Sequence, residues 1–285
     1  LAARQSGCAF VTTWHGAHRA KGPLKKLYNS VMGFGRPVIA ISDFIAEMAT
    51  GVYGVPPEQI VTIPRGADIN AFAEEVVSAE RTITIARDWG IVEDPRPVIL
   101  LPGRLSRWKG QADLVEAAAK LKARRGPVFL ALIVGEDGGS MGERLLARAR
   151  ELDILDVVKV LPATEDMPAA YKLAAVVLSA STEPEAFGRV AVEAQAMGRP
   201  VIATDHGGAR ETIDSGRTGW LYPPGDIDAL TGAMDAALAL EPWQRAHMGM
   251  AGRARVANRF TVEAMQRATL AVYEQAAGRT FGVTV

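Results

Sequence analysis

The sequence holds one cysteine, Cys8, among 285 residues, so no internal disulfide can form and the chain suits a reducing compartment. Beside Ala9, Phe10 and Val11, that cysteine reads as a small buried hydrophobe. Net charge is also missing: 32 Lys and Arg balance 32 Asp and Glu. Nothing global attracts nucleic acid, and any anion must be held by local groups. Long apolar runs are absent as well; the stretch 128–134 falls far short of the ~20 residues that span a bilayer. With no secretory signal visible, the chain is read as cytoplasmic. No His, Asp or Glu set at ligand spacing marks a metal site, and no short-period repeat is present. A start at Leu1 instead of Met, running straight into strand-like residues, reads as a chain without its first segment.

What is there is an alternation of Val- and Ile-rich runs with helical patterns. Strands are predicted at 9–13, 38–41, 60–63, 98–101, 129–134, 157–161, 176–179 and 201–203. Several are apolar at every position, as expected of parallel strands buried on both faces. Helices are predicted at 111–124, 140–152, 167–172, 189–197, 227–240 and 262–277, the last capped by Thr261. This is an α/β pattern of open parallel sheets covered on both sides. Residues 73–96 are charged and close on Asp94-Pro-Arg-Pro97, which reads as a connection between two blocks. The chain therefore divides into residues 1–78, 79–259 and 260–285, the last a helix expected to cross back to the first block.

Ligands of open α/β sheets bind beyond the carboxyl ends of the strands. After strand 98–101 comes Pro102-Gly-Arg104-Leu-Ser-Arg-Trp-Lys109-Gly110. Arg104 and Lys109 can offer a bidentate guanidinium and a mobile ammonium to a diphosphate, with the next helix start adding partial positive charge. The order Lys-Gly is not that of a Walker loop, and a solvated basic loop is the plainer reading of this segment alone. After strand 176–179 stands Glu185-Ala-Phe-Gly188-Arg189-Val190-Ala-Val-Glu193. Gly188 leaves helix-start amides open to an oxyanion, and the two carboxylates can accept from sugar hydroxyls. A Glu pair on a helix is, taken alone, more often a solvated face.

Together these segments, followed by Asp205-His-Gly207-Gly208-Ala-Arg-Glu211 and Gly219-Trp-Leu-Tyr-Pro-Pro-Gly225-Asp226, resemble family 4 of the retaining glycosyltransferases. The resemblance covers roughly residues 35–275. It implies a GT-B fold, two facing Rossmann-like domains with parallel sheets, of which the N-terminal one is incomplete here. It implies that Arg104 and Lys109 bind the donor diphosphate, Glu185 the transferred sugar and Glu193 the ribose. Main-chain groups at Gly188, Arg189 and Val190 would contact phosphates and sugar, and the loop holding Ala163 and Glu165 would face the base. Thr12-Thr-Trp-His15-Gly16 resembles the turn that carries a His beside the donor sugar, which makes His15 a catalytic-site residue. Ile63-Pro-Arg-Gly66-Ala-Asp68 resembles the family's I-P-N-G-V-D turn, with Arg65 in place of the usual Asn. The family's glycine-rich first loop would precede residue 1.

The expected chemistry is transfer of a sugar from a UDP- or GDP-sugar to a hydroxyl acceptor, with retention, by front-face attack in which the leaving phosphate takes the proton. Neither a cofactor nor a metal is called for; cations and helix amides would stabilise the departing diphosphate. A sugar-nucleotide epimerase, a phosphorylase or a non-catalytic sugar-nucleotide-binding module are the competing readings. For the acceptor, family analogy points to a glycan or lipid-linked acceptor of the bacterial cell envelope, of lipopolysaccharide type. Arg19, Lys21, Lys25 and Lys26 cluster around Leu24, Leu27 and Val31. Such a basic amphipathic helix fits weak contact with an anionic membrane face, a solvated helix face being the alternative.

Overall fold

A computed structural model describes residues 5–17 and 22–282; Arg19 and Lys21 of the basic cluster, and His18, lie outside them. Two parallel sheets organise the molecule. The first has three strands, β1 (Thr12–Trp14), β2 (Val38–Ala40) and β3 (Ile60–Thr62), in that order. Helix α1 (Pro23–Ser30) precedes β2, and α2 (Asp43–Tyr53) joins β2 to β3. After a connecting helix α3 (Ala79–Asp88), the second sheet is built from β4 (Val98–Pro102), α4 (Gln111–Arg125), β5 (Leu130–Val134), α5 (Met141–Glu151), β6 (Val158–Leu161), α6 (Met167–Leu173) and β7 (Ala174–Ser179). It is completed by α7 (Arg189–Ala196), β8 (Val201–Thr204), α8 (Ala209–Thr212), β9 (Gly219–Tyr222) and α9 (Ile227–Ala239). Helices α10 (Pro242–Arg259) and α11 (Val262–Ala277) follow.

The second sheet has the order β6-β5-β4-β7-β8-β9. The strand order reverses between β4 and β7, which opens a crevice at their carboxyl ends. Alternation along β4 explains its unbroken apolar run: Ile99 and Leu101 pack with α4 and α9 residues such as Leu114 and Leu230, whereas Val98 and Leu100 face the opposite core with Ala169 and Met197. A third core joins the two sheets, packing Trp14, Val38 and Ile45 with Phe187, Val192 and Phe260.

Helix α11 returns to the first sheet, where Val272 packs with Ile39 and Ile63. Thr261 caps it, its hydroxyl accepting from Ala264 N at 3.1 Å. The chain just before α11 meets the turn after β3: Ala67 N donates to Phe260 O at 2.8 Å and Val262 N to Ala67 O at 3.2 Å. Gly66 makes that approach possible, because a Cβ there would stand 2.3 Å from Thr261 O.

One expectation needs correction, and two others gain detail. Cys8 is exposed; β1 begins at Thr12, so Cys8 precedes the strand instead of filling it. Residues 73–96, read as a connection, contain a helix. Ser78 caps α3 through Arg81 N, and Ile85 and Ala86 are buried; the charges that gave the segment its linker character occupy the solvent face of a helix. The strand Gly219–Tyr222 and helices α2 and α10 carry weak sequence signals, since Gly and Trp mask the strand and Gly51, Gly249 and Gly252 interrupt the helical patterns.

Candidate active site

The turn after β4 and the loop after β7 are locked to each other. Thr182 N donates to Trp108 O at 2.7 Å. Gly110, at φ +75°, lies so close to the second loop that a Cβ would fall 2.0 Å from Ala180 O. This contact brings Lys109 Nζ to 2.7 Å from Glu185 Oε1, 76 positions on, and Ser181 Oγ donates to the same carboxylate oxygen. Lys109 Nζ also rests 4.4 Å from the centroid of the Trp108 ring, a cation–π contact that helps hold it in place.

Beyond Glu185 the chain turns through Gly188, in the left-handed region at φ 92°, into α7 with no side-chain cap. The first intrahelical bonds start at Ala191 N and Val192 N, both to Gly188 O, so the amides of Arg189 and Val190 are open at a positive helix end. Behind Glu185 sits the glycine pair of the 205–211 segment: Gly208 N donates to Glu185 O at 2.9 Å, and a Cβ on Gly208 would meet Phe187 backbone at 2.5 Å.

On α7, Glu193 is held from two sides. The buried Tyr171 hydroxyl donates to Oε2 at 3.0 Å, and Arg189 Nη2 reaches Oε1 at 3.1 Å. Burial and the facing carboxylate push the Tyr171 phenol well above its ordinary pKa, so it stays a donor at all working pH values.

His15, just past β1, lines the opposite wall. Its Nδ1 lies 3.2 Å from Arg65 Nη2. A guanidinium can only donate, so Nδ1 accepts and the neutral ring carries its proton on Nε2. Desolvation, then the charge of Arg65, lower the His15 pKa. The expected NMR titration of His15 has a midpoint below 6.5, and Arg65→Gln moves it upward; a midpoint above the ordinary histidine value, or no change in the variant, would contradict the pairing.

His15, Arg65, Lys109, Glu185, Gly188, Arg189, Val190 and Glu193 thus share one cavity of about 320 Å³ between the sheets. A contiguous cavity of about 450 Å³ extends along the first sheet and α11, and again includes His15, Arg65, Arg189 and Glu193. Ala163 lines a separate cavity of about 390 Å³ with Leu105, Glu136 and Asp137. Arg104 and Glu165 are exposed and line none of these three. Among the described residues no group of three or more His, Cys, Asp or Glu is placed to hold a metal ion.

The sequence reading missed three contributors. Glu211 accepts from Asp43 N at 2.9 Å and Phe44 N at 2.8 Å, capping α2 from the other sheet; burial raises its carboxyl pKa against these two amides. Ser42 Oγ donates to Ala186 O at 2.6 Å, next to Glu185. Tyr171 reaches Glu193 from the helix that precedes β7. Glu211 closes the segment 205–211, but the sequence gives none of the three a role, because each acts on a partner from another element.

Residues 84–255 match the family described as glycosyl transferases group 1. The chain belongs to that family. Residues 1–71 of this group 1 glycosyltransferase match a second family description, glycosyltransferase family 4. A D-inositol 3-phosphate glycosyltransferase of Pseudarthrobacter chlorophenolicus is 36% identical over 80% of the chain and 53% of its own length. A GDP-mannose-dependent alpha-(1-6)-phosphatidylinositol monomannoside mannosyltransferase of Mycolicibacterium smegmatis is 33% identical over 76% of the chain and 56% of its own. The chain spans about half the length of the curated relatives it matches. Among solved structures, a glycosyltransferase from Rickettsia africae superimposes with a TM-score of 0.88 at 32% identity, covering 96% of this chain and 72% of that one. Anabaena HepE in complex with UDP and glucose gives 0.84 at 25%, covering 96% and 73%. The group 1 chain therefore has the two-sheet GT-B architecture.

Proposed function

We propose that this chain carries the donor half and part of the acceptor side of a retaining glycosyltransferase that moves a sugar from a nucleoside-diphosphate sugar to a hydroxyl acceptor. The observation that carries the reading is the meeting of Lys109 and Glu185, 2.7 Å apart, beside the open first turn of α7. Negative charge grows on the diphosphate as the sugar leaves. One Lys109 N–H is committed to Glu185, and two remain for phosphate oxygens, with the Arg189 and Val190 amides facing the same cavity. Preorganised donors of this kind lower the barrier because they need no reorientation during the reaction. Glu185 then serves the transferred sugar, Glu193 the ribose, and the Nε2–H of neutral His15 a sugar hydroxyl. Arg104 joins the diphosphate only if its exposed side chain turns inward on binding. Ala163 places the base against the cavity beneath Leu105. The division 1–78, 79–259 and 260–285 belongs to the same proposal.

UDP in HepE and GDP-mannose in the mycobacterial relative support UDP- and GDP-sugars as the donors to try first. The inositol 3-phosphate and phosphatidylinositol mannoside activities for which these relatives are named favour a phosphorylated cyclitol or its lipid as acceptor class over a lipopolysaccharide core. A thermal-shift panel of UDP, GDP, ADP and their sugars tests the reading. A ligand at 100 times its dissociation constant should stabilise by about 2.7 kcal/mol; no shift with any diphosphate would sink it.

Peripheral membrane contact is part of the proposal too. Leu24, Leu27, Tyr28 and Val31 recur at helical spacing and are exposed, Leu24 by 82% and Leu27 by 68%, with Lys25 and Lys26 alongside. That is an apolar face with a basic border, suited to lying in an anionic interface. No helix among the described residues is long and apolar enough to cross a membrane. Retention on anionic vesicles at low salt is expected to fall roughly tenfold or more in Leu27→Asp, since each buried Leu contributes about 1.5–3 kcal/mol. Equal retention of both proteins would remove the membrane contact.

A further inference from the structure

The cleft holds three cations that line its cavities, and two are matched by carboxylates: Lys109 by Glu185 at 2.7 Å and Arg189 by Glu193 at 3.1 Å. Arg65 is the third. It forms no ion pair with a carboxylate among the described residues, and its guanidinium meets only the neutral acceptor His15 Nδ1. Asp68, three positions on, forms no ion pair with it among the described residues; its Oδ1 accepts from Asn70 N and Ala71 N at 2.9 and 3.0 Å. The position is built. Gly66 and Ala67 are clamped to residues 260–262, so the Arg65 backbone cannot drift. The side chain stands where the two contiguous cavities meet, with the larger one continuing past Ile39, Ile63 and Met265 to Thr13 and Thr269.

A guanidinium uses its paired donors best on a planar oxyanion, and half-buried Arg65 aims its own into the cavities without one. The donor diphosphate has Lys109 and the α7 amides on the far wall. The oxyanion that answers Arg65 therefore comes from the other substrate. We infer that Arg65 is a specificity residue for the acceptor, selecting one that carries an anionic substituent, such as a phosphate ester or a carboxylate, seated in the larger cavity along β2, β3 and α11. His15 reports on the arrangement: its pKa is lowered by burial and then by the charge of Arg65, and an anion on Arg65 cancels that second part, in a setting whose other facing charges are Lys109, Glu185, Arg189, Glu193 and Asp68.

The inference rests on the sugar-transfer reading, and the test separates the two. Protein saturated with UDP or GDP, whichever binds, is titrated with inorganic phosphate and then with glucose, glucose 6-phosphate and glucuronate, following the His15 ring signals by NMR. Inorganic phosphate is expected to raise the His15 titration midpoint. The glucose derivatives bearing a charge should bind about tenfold or more tightly than glucose, as for a hydrogen bond to a charged group; glucose 6-phosphate against glucuronate tells which oxyanion is preferred. Arg65→Gln should abolish both the midpoint response and the charge preference, Arg65→Lys should keep part of each, and nucleotide affinity should be unchanged in both. If phosphate leaves His15 unmoved in the nucleotide-loaded protein, or if Arg65→Gln weakens the nucleotide as much as the anion, the inference falls. Absence of all nucleotide binding counts instead against the sugar-transfer reading.

Discussion

Lys109→Ala is expected to slow sugar transfer by about 10²–10³-fold, the loss typical when one preorganised donor to a developing oxyanion is removed. The ammonium is fixed by Glu185 and by the Trp108 ring, so no other described side chain can take its place without moving. Ser106→Ala is the control on the same turn. Its hydroxyl is buried without a hydrogen-bond partner, so its removal should leave turnover nearly unchanged. Donor turnover and calorimetric nucleotide affinity measure both variants. Removing Lys109 also leaves Glu185 with Ser181 alone, so the melting temperature of Lys109→Met, which keeps the chain's bulk, separates chemistry from stability. Similar turnover in Lys109→Ala and Ser106→Ala would contradict the assigned phosphate site.

Gly110→Ala should do its damage through the backbone. A left-handed conformation costs a non-glycine residue about 1–3 kcal/mol, and the new Cβ would sit 2.0 Å from Ala180 O and 2.6 Å from Ala180 Cβ. Overpacking of a tight site adds about 1–3 kcal/mol more. A loss of roughly 2–6 kcal/mol lowers the melting temperature by about 5–20 °C in a chain of this size. Because the same contact aligns Lys109 with Glu185, nucleotide affinity should fall even below the melting range. Gly138→Ala has open space around the added methyl and should melt close to the parent. A Gly110→Ala protein that melts and binds normally would show that the two loops are not locked through this point.

Much of this arrangement was legible in the sequence because it is written in short range. The apolar runs at 98–101 and 176–179 specify strands buried on both faces, and Lys109 and Glu185 follow those strands directly. Topology then does the rest, since adjacent parallel strands present their following loops side by side. Arg104 shows the limit of that logic: it follows the same strand, yet its side chain is directed to solvent. Glu211, Ser42 and Tyr171 show another. Each is an ordinary polar residue whose partner is supplied by a different element, and only three-dimensional packing creates the contact. The helix at 79–88 was hidden for the opposite reason, because four of its ten residues are charged and its buried face is narrow.

The contact between the turn after β3 and the start of α11 has a consequence for how the protein is made. Ala67 and Thr261 are bridge partners far apart in the chain, and everything between them forms the second sheet with its helices. The six-stranded unit is in effect an insertion within the three-stranded one. On the ribosome the larger unit can condense once α10, which packs on α7 through Gly249 and Gly252, has emerged, whereas the smaller must wait for α11 before Ile39 and Ile63 gain their partner Val272. Vectorial synthesis thus favours assembling the six-stranded unit before the three-stranded one.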